Sequence, residues 1–430
     1  MIYIDKVFSR RTFLKAAGVL SAALFSGCSL QNNPAVKKAA RTIAGSNMPD
    51  SDFVRQIITR DSQTSRTVMW QSLSAQKEAV VLLREQGSEK SRSFSAESAP
   101  YNDDEQKLFL HTAHLTGLEA GKKYEYQLKY NKETSTWYPL TTDNGGSFKA
   151  LIFPDSQSND YSVWEKNFRA AAKANPDAAL FINLGDLVDN GEDHSQWAAW
   201  FSAVEPVICR IPFAPVMGNH ETYDNKWKVR LPHAYLNEFA VPDNGSKSFD
   251  RYYYSFDYGD VHFVVLNTQW DEIEEFIPGI LDHQLEWLRE DVARSSKKWK
   301  VALFHKDVLK YAIKTRPERQ PGICEAGQYF MPVLEELGFD LVLTAHLHTY
   351  RNRGHLKAFE ASKTGPVYIL TGVVGNVFYN NFWVDHKLDK AKAPQPETGN
   401  YLTLYADKNQ LQIKSYLING ECFDEIALKK

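Results

Sequence analysis

The stretch Ala179-Leu180-Phe181-Ile182-Asn183-Leu184-Gly185-Asp186-Leu187-Val188-Asp189 decides the fold: a short apolar run stops at a glycine and then presents carboxylates. Four other places repeat the arrangement. Phe148–Phe153 leads into Asp155-Ser156-Gln157, and Phe213–Met217 into Gly218-Asn219-His220-Glu221. Val301–Phe304 is followed by His305, and Leu341–Ala345 by His346-Leu347-His348. Apolar runs of this length, bounded by turn residues, predict buried strands of a largely parallel sheet. Ligands in open α/β sheets sit beyond the carboxyl ends of the strands. The five motifs are therefore expected to converge on one rim.

Working outward, Val163–Ala174, Gln284–Ala293 and Tyr329–Leu337 carry helical spacing of apolar residues, so the region from residue 147 to 430 reads as α/β. Residues 51–146 read as all-β, with strands expected at Phe53–Thr59, Thr67–Gln71, Val80–Leu83, Leu108–Leu115 and Tyr124–Tyr130. The last of these alternates Tyr124, Tyr126, Leu128 and Tyr130 with Glu125, Gln127 and Lys129, the period of a half-buried strand. Short strands at this spacing suggest a sandwich with Trp70 in its core. Tyr401–Tyr405, Leu411–Leu417 and Phe423–Leu428 return to strand patterning, with Asn419-Gly420 as a hairpin turn, and Lys387–Pro396 is expected to be an exposed loop.

The N-terminus carries its own pattern. Ser9-Arg10-Arg11-Thr12-Phe13-Leu14-Lys15 resembles a twin-arginine export signal, and the apolar Ala16–Gly27 is too short to span a bilayer. Leu24-Phe25-Ser26-Gly27-Cys28 resembles a lipobox. Residues 1–27 are thus expected to be a signal peptide, 28–50 a tether, and the protein an exported cell-envelope lipoprotein held to a membrane by Cys28. Cys209, Cys324 and Cys422 remain, with Cys209 expected in the core and no spacing that demands a disulfide. A formal net charge of -3 does not favour nucleic acid as a stable partner.

The motif residues suit two metal ions. Phosphoester hydrolysis needs a nucleophile at neutral pH and neutralised phosphoryl charge, and a metal pair about 3.5–4 Å apart supplies both. Asp186 is the expected bridge. Asp155, His348 and Gln157 would complete one ion's set, and Asn219, His305 and His346 the other's. Mixed nitrogen and oxygen donors suit iron, manganese or zinc. Only Asp155 and Asp186 bring negative charge, so a loaded site would attract an anionic phosphoryl group. A third carboxylate would blunt that charge, which places Asp189 behind His220 as its hydrogen-bond partner. His220 would then be the general acid, protonating the leaving alkoxide after a metal-bound hydroxide attacks phosphorus in line.

These motifs resemble the calcineurin-like metallophosphoesterase superfamily, and a sandwich ahead of the catalytic domain is similar to purple acid phosphatases. Leu115–Tyr126 resembles a segment of fibronectin type III-like domains. The resemblance implies an α/β metallophosphoesterase domain, a sheet sandwich flanked by helices, preceded by an all-β fibronectin type III-like sandwich. Purple acid phosphatases carry a tyrosine ligand where this chain has Asp189, so the resemblance implies a protein that is not purple. Gln157 stands in place of the superfamily's usual histidine, and Ala345 in place of a glycine. A phosphatase is the favoured activity, with a phosphodiesterase or a catalytically weak surface-binding lipoprotein as alternatives.

Other residues carry blander expectations. His111 and His114 face opposite sides of one strand and read as structural, and His262 reads as core. His194, His233, His283, His355 and His386 stand outside any motif. Tyr223, Tyr350 and Asn376 follow motif positions, with packing as their expected role. No Walker loop, Rossmann glycine pattern or Gly-x-Ser-x-Gly elbow is present.

Overall fold

The computed structural model describes Met48, Asp50–Asp103 and Gln106–Lys430. The expected signal peptide, Cys28 and nearly all of the tether lie outside these residues. Among the described residues, no helix is long and apolar enough to cross a membrane.

The motif-bearing runs divide between two sheets rather than sharing one. Phe148–Phe153, Leu180–Asn183 and Phe213–Pro215 pair in parallel inside a ten-stranded sheet. Val261–Val265, Trp299–Leu303, Leu341–Thr344 and Val367–Leu370 form the parallel centre of a second sheet. Strands buried on both faces need near-continuous apolar runs, which these are. Phe148 joins the layers, lying 4.8 Å from Tyr258 and 6.2 Å from Phe263. Helix Tyr161–Ala174 covers the first sheet through Trp164 and Phe168, which pack on Phe153. Helix Glu325–Glu336 covers the second through Phe330 against Phe304.

Helix His194–Ile208 has no counterpart among the expected elements. Its apolar residues face several directions and Pro206 lies inside it, so periodicity did not mark it. Asp193 caps it by accepting from the amides of Ser195 and Gln196. The stretch 387–396 is also less exposed than expected. Leu388 and Ala393 are buried, and Ala391–Lys392 pairs with Arg351–Asn352.

The N-terminal strands make the expected sandwich, and one of its two sheets runs on into the α/β region. A five-stranded sheet built on Val80–Glu85 and Lys123–Tyr130 faces strands that belong to the ten-stranded sheet. Val81, Leu83, Tyr126 and Leu128 share one core with Val68, Trp70, Ala113 and Leu115. Asp52–Ile57 then pairs in parallel with Phe213–Pro215, through Ile57 and Phe213, carrying the sheet across both regions. Buried polar contacts reinforce the seam. Arg55 donates to the Glu238 carboxylate at 2.6 Å, Gln71 to the same carboxylate at 2.6 Å, and Tyr126 to the Cys209 carbonyl at 2.8 Å. Cys209 is buried as expected, and all three described cysteines are free.

A second clamp joins Arg60 to Asp291 at 2.5 Å, and Asp291 to His262, whose other nitrogen meets Asp257. Burial alone would raise the Asp291 carboxyl, but His262, Ser255 and Arg60 hold it down at about 2. Burial likewise opposes charge on His262, yet Asp257 and Asp291 hold its pKa above the ordinary value. The Asp291 share of stability is present above pH ~4 and lost as pH falls toward its depressed value. The His262 share is full below pH ~6.5 and lost as pH rises through its elevated value. Asp291→Asn is therefore expected to cost most near pH 5.5 and less at pH 3 or pH 9. Urea unfolding of the variant and the unaltered protein at the three values checks this. A pH-independent difference would refute it.

Candidate metal centre

Two groups of side chains meet where the strands of both sheets end. Asp186, His305 and His346 form one, and Asp155, Asp186 and His348 the other, with the ligand atoms of each within 4.8 Å of one another. Asp186 belongs to both. His305 Nε2 lies 3.1 Å from Asp186 Oδ2, 3.2 Å from Asn219 Oδ1 and 3.3 Å from His346 Nδ1. Metal bonds of about 2.1 Å set donor-to-donor edges of roughly 3.0–3.4 Å, so the three edges from His305 have the length that donors sharing an ion require. In the other group Asp155 Oδ1 lies 3.6 Å from His348 Nε2. Gln157 is buried beside Asp155, and its Oε1 has no hydrogen-bond partner among the described residues. An orphaned buried acceptor is costly unless something electropositive meets it.

Backbone carbonyls set the histidine tautomers. His305 Nδ1 faces the Leu184 carbonyl at 2.8 Å and His348 Nδ1 the Val377 carbonyl at 2.5 Å. A carbonyl can only accept, so each Nδ1 carries a proton and each Nε2 is the atom presented to the centre. Asp186, His346 and His348 all adopt positive φ, at 49°, 78° and 47°. Non-glycine residues held there store strain that the surroundings must enforce.

The electrostatics favour positive charge at the centre. Burial pushes the Asp186 carboxyl up, yet His305, His220 and His346 hold it below the usual carboxylate range. Burial also opposes charge on His305, but Asp186 raises its pKa to about 9. Burial and the neighbouring His305 push His346 down to about 3. The carboxylates of Asp186 and Asp155 thus favour positive charge at this place, and a divalent ion held there would compete with protons for the ring.

The glycines leave room for these contacts. A Cβ on Gly185 would stand 2.5 Å from His305 Nδ1, and one on Gly218 only 2.1 Å from Asp186 Oδ1. Gly218→Ala is therefore expected to push Asp186 aside and weaken metal binding by at least ~10-fold, the scale of lost support around a metal ligand. Calorimetric titration with manganese, beside a thermal melt to show folding, measures it. Unchanged affinity would mean that the turn yields without moving Asp186.

His220 lies at the edge of the centre, with Nε2 3.8 Å from Asp186 Oδ2. Its Nδ1 donates to the Asp189 backbone carbonyl at 2.6 Å, while the Asp189 carboxylate is 3.6 Å away. The expected partner residue is thus at hand, but its main chain makes the hydrogen bond. The amide of Asp189 is anchored to Tyr161 and Gln196, which turns the carbonyl toward the ring. Burial opposes charge on His220, and Asp186 followed by Asp189 raises its pKa above the ordinary value.

Glu221, the last residue of the Gly218–Glu221 motif, has a structural role that the motif does not announce. It is fully buried, accepting from the amides of Gly218 at 2.7 Å, Asp186 at 3.0 Å and Leu187 at 2.8 Å. One carboxylate therefore ties the Asp186 turn to the Asn219 turn. Tyr223 touches Asn219 Nδ2 at 3.3 Å, so it lies nearer the centre than packing alone required. Asn376 accepts from the Asn159 amide, and Tyr350 is buried against Asp424. His111 is buried between Ser72 and Ser98, and His114 is exposed.

Residues 142–350 match the family described as calcineurin-like phosphoesterase, and residues 52–142 the purple acid phosphatase N-terminal domain. Purple acid phosphatase 15 of Arabidopsis thaliana is 31% identical over 212 residues, which cover 47% of this chain and 36% of that protein. The chain thus spans about a third of that relative's length. The solved structure of purple acid phosphatase PPD1 from yellow lupin (Lupinus luteus) superposes with a TM-score of 0.74 at 16% identity, covering 89% of this chain and 75% of that one. The structure of PhoD gives a TM-score of 0.59 at 14% identity, covering 87% and 88%. The chain therefore joins a purple acid phosphatase N-terminal domain to a calcineurin-like metallophosphoesterase domain.

Proposed function

We propose that this protein is a metal-dependent phosphoric ester hydrolase that acts as a phosphatase. The observation that carries the reading is Asp186, shared between two ligand groups whose other donors are one carboxylate and neutral side chains. Two divalent ions held there would neutralise phosphoryl charge and supply a nucleophilic water near neutral pH. Iron, manganese and zinc match the donor set. Asp155, Asp186 and His348, with Gln157, would hold one ion, and Asp186, Asn219, His305 and His346 the other. With two carboxylates against two divalent ions, the loaded site is cationic and draws in an anionic phosphoryl group. His220 is the general acid: the Asp189 carbonyl fixes its Nδ1 proton, leaving Nε2 to protonate the departing oxygen.

Export by the twin-arginine route and acylation of Cys28 complete the proposal, placing the enzyme at a cell-envelope membrane. Loss of membrane association in a Cys28→Ala variant, by fractionation, tests the anchor.

For the activity, metal-stripped protein is titrated with manganese, iron or zinc, and hydrolysis of nitrophenyl phosphate is compared with that of bis(nitrophenyl) phosphate. Metal-dependent turnover that His220→Ala lowers by about 10²–10⁴-fold is the expected result. Preference for the bis-ester would replace phosphatase by phosphodiesterase. Failure to bind two ions would overturn the hydrolase and favour a surface-binding lipoprotein.

A further inference from the structure

The loop after Glu221 carries two local costs. Trp227 is 56% exposed, in a chain whose other tryptophans are mostly buried. It also stands at φ 61°, in the left-handed region, where a bulky residue is an outlier. Neither cost is offset by burial of the ring. The loop is nevertheless tightly built. Tyr223 and Val229 form an antiparallel bridge, and the Asp224 amide donates to the Lys228 carbonyl at 2.8 Å. The Asp224 side chain accepts from the amides of Lys226 and Lys228, both at 2.8 Å. Asn190 and Glu192 tie the loop to the segment following Asp189. The indole is therefore held out deliberately, and what it is held against is the centre. Its ring lies 5.8 Å from His220 at 89° and 6.0 Å from Tyr223, which itself lies 5.6 Å from His220.

Position and charge say what the ring meets. With His220 as the general acid proposed above, the group attached to the departing oxygen would leave the centre past the corner made by Tyr223 and Trp227. Exposed lysines, Lys226 and Lys228, flank the indole on either side in sequence. An aromatic face between cations is the combination that receives a stacked base beside phosphate. A small aliphatic alcohol would use neither feature.

We propose that Trp227, with Tyr223, is a stacking platform for the leaving group, and that the preferred substrates are nucleotides, whose base packs on the indole. The proposal rests on the hydrolase reading above and deepens it by naming the substrate class. Trp227 is then a specificity-determining residue, and Lys226 and Lys228 favour leaving groups that carry further phosphate.

The test compares adenosine 5′-monophosphate with ribose 5-phosphate, which share a primary-alcohol leaving oxygen and differ by the base. The manganese-loaded full chain is expected to favour the nucleotide in kcat/KM by about tenfold or more, the scale of one stacked base. Trp227→Ala should collapse that ratio toward one, Trp227→Phe should keep part of it, and Phe276→Ala, an exposed aromatic outside the loop, should leave it unchanged. A ratio near one in the unaltered protein overturns the platform, as does a ratio that Trp227→Ala leaves intact. Equilibrium dialysis of adenosine against the metal-free chain gives a second readout. Binding that weakens about tenfold in Trp227→Ala supports the platform, and equal binding in both overturns it. If no ester is hydrolysed with any metal, the hydrolase reading fails, and the dialysis alone decides the platform.

Discussion

Asp186→Asn is expected to abolish metal-dependent hydrolysis, beyond the ~100-fold that loss of a supporting contact around a metal ligand costs. Asp186 is the one carboxylate shared by both ligand groups, so the amide removes a negative charge from both at once. The substitution also removes the largest of the interactions that hold His305 above its ordinary pKa, because the carboxylate lies 3.1 Å from its Nε2. Little volume changes, so the fold should survive. Metal analysis after dialysis is expected to find fewer than two ions per chain, with a near-unchanged thermal melt once both proteins are metal-free. Two tightly held ions in the variant would show that Asp155 and the neutral donors suffice, and the bridging assignment would fall.

Glu221→Ala should be the most destabilising single change at the site. Its carboxylate accepts from the amides of Gly218, Asp186 and Leu187. Truncation leaves those three donors without their acceptor, at about 1–3 kcal/mol for each buried unsatisfied group. A loss of roughly 3–9 kcal/mol is a large share of a typical domain's margin. Glu221→Gln separates charge from shape. Its single amide oxygen can still accept on one side, while its NH₂ must face an amide donor on the other. The glutamine variant is expected to fold and to bind metal weakly, because Asp186 sits on the turn that is no longer held. Urea unfolding and metal titration of both variants make the comparison. A glutamine variant with full metal affinity would reduce Glu221 to a packing role.

Much of this was open to reading because the chemistry is local to each motif. Phe181, Gly185 and Asp186 declare a strand, a sharp turn and a ligand within six positions. The same holds for the alternate histidines His346 and His348 after Leu341–Thr344. What escaped depends on distant partners. Nothing near Phe213 says that its neighbour is Ile57, nor near Leu303 that its sheet is separate from that of Ile182. Glu221 had only a place in a motif, since its value lies in three amides from two turns. Strand Arg92–Ser95 is polar and mostly exposed, so it carries little alternation to read. The strain at Trp227 is a backbone angle, and composition does not announce one.

The parallel pairing of Asp52–Ile57 with Phe213–Pro215 bears on how this protein can be divided. Cut at residue 147, the catalytic half would begin with its Asn219-bearing strand naked along one side. Such an edge invites pairing with other chains. The smallest piece that keeps the metal centre therefore starts near residue 50. For this chain the front piece is therefore part of the wall beside the centre, and a truncation meant to isolate the chemistry would have to keep it.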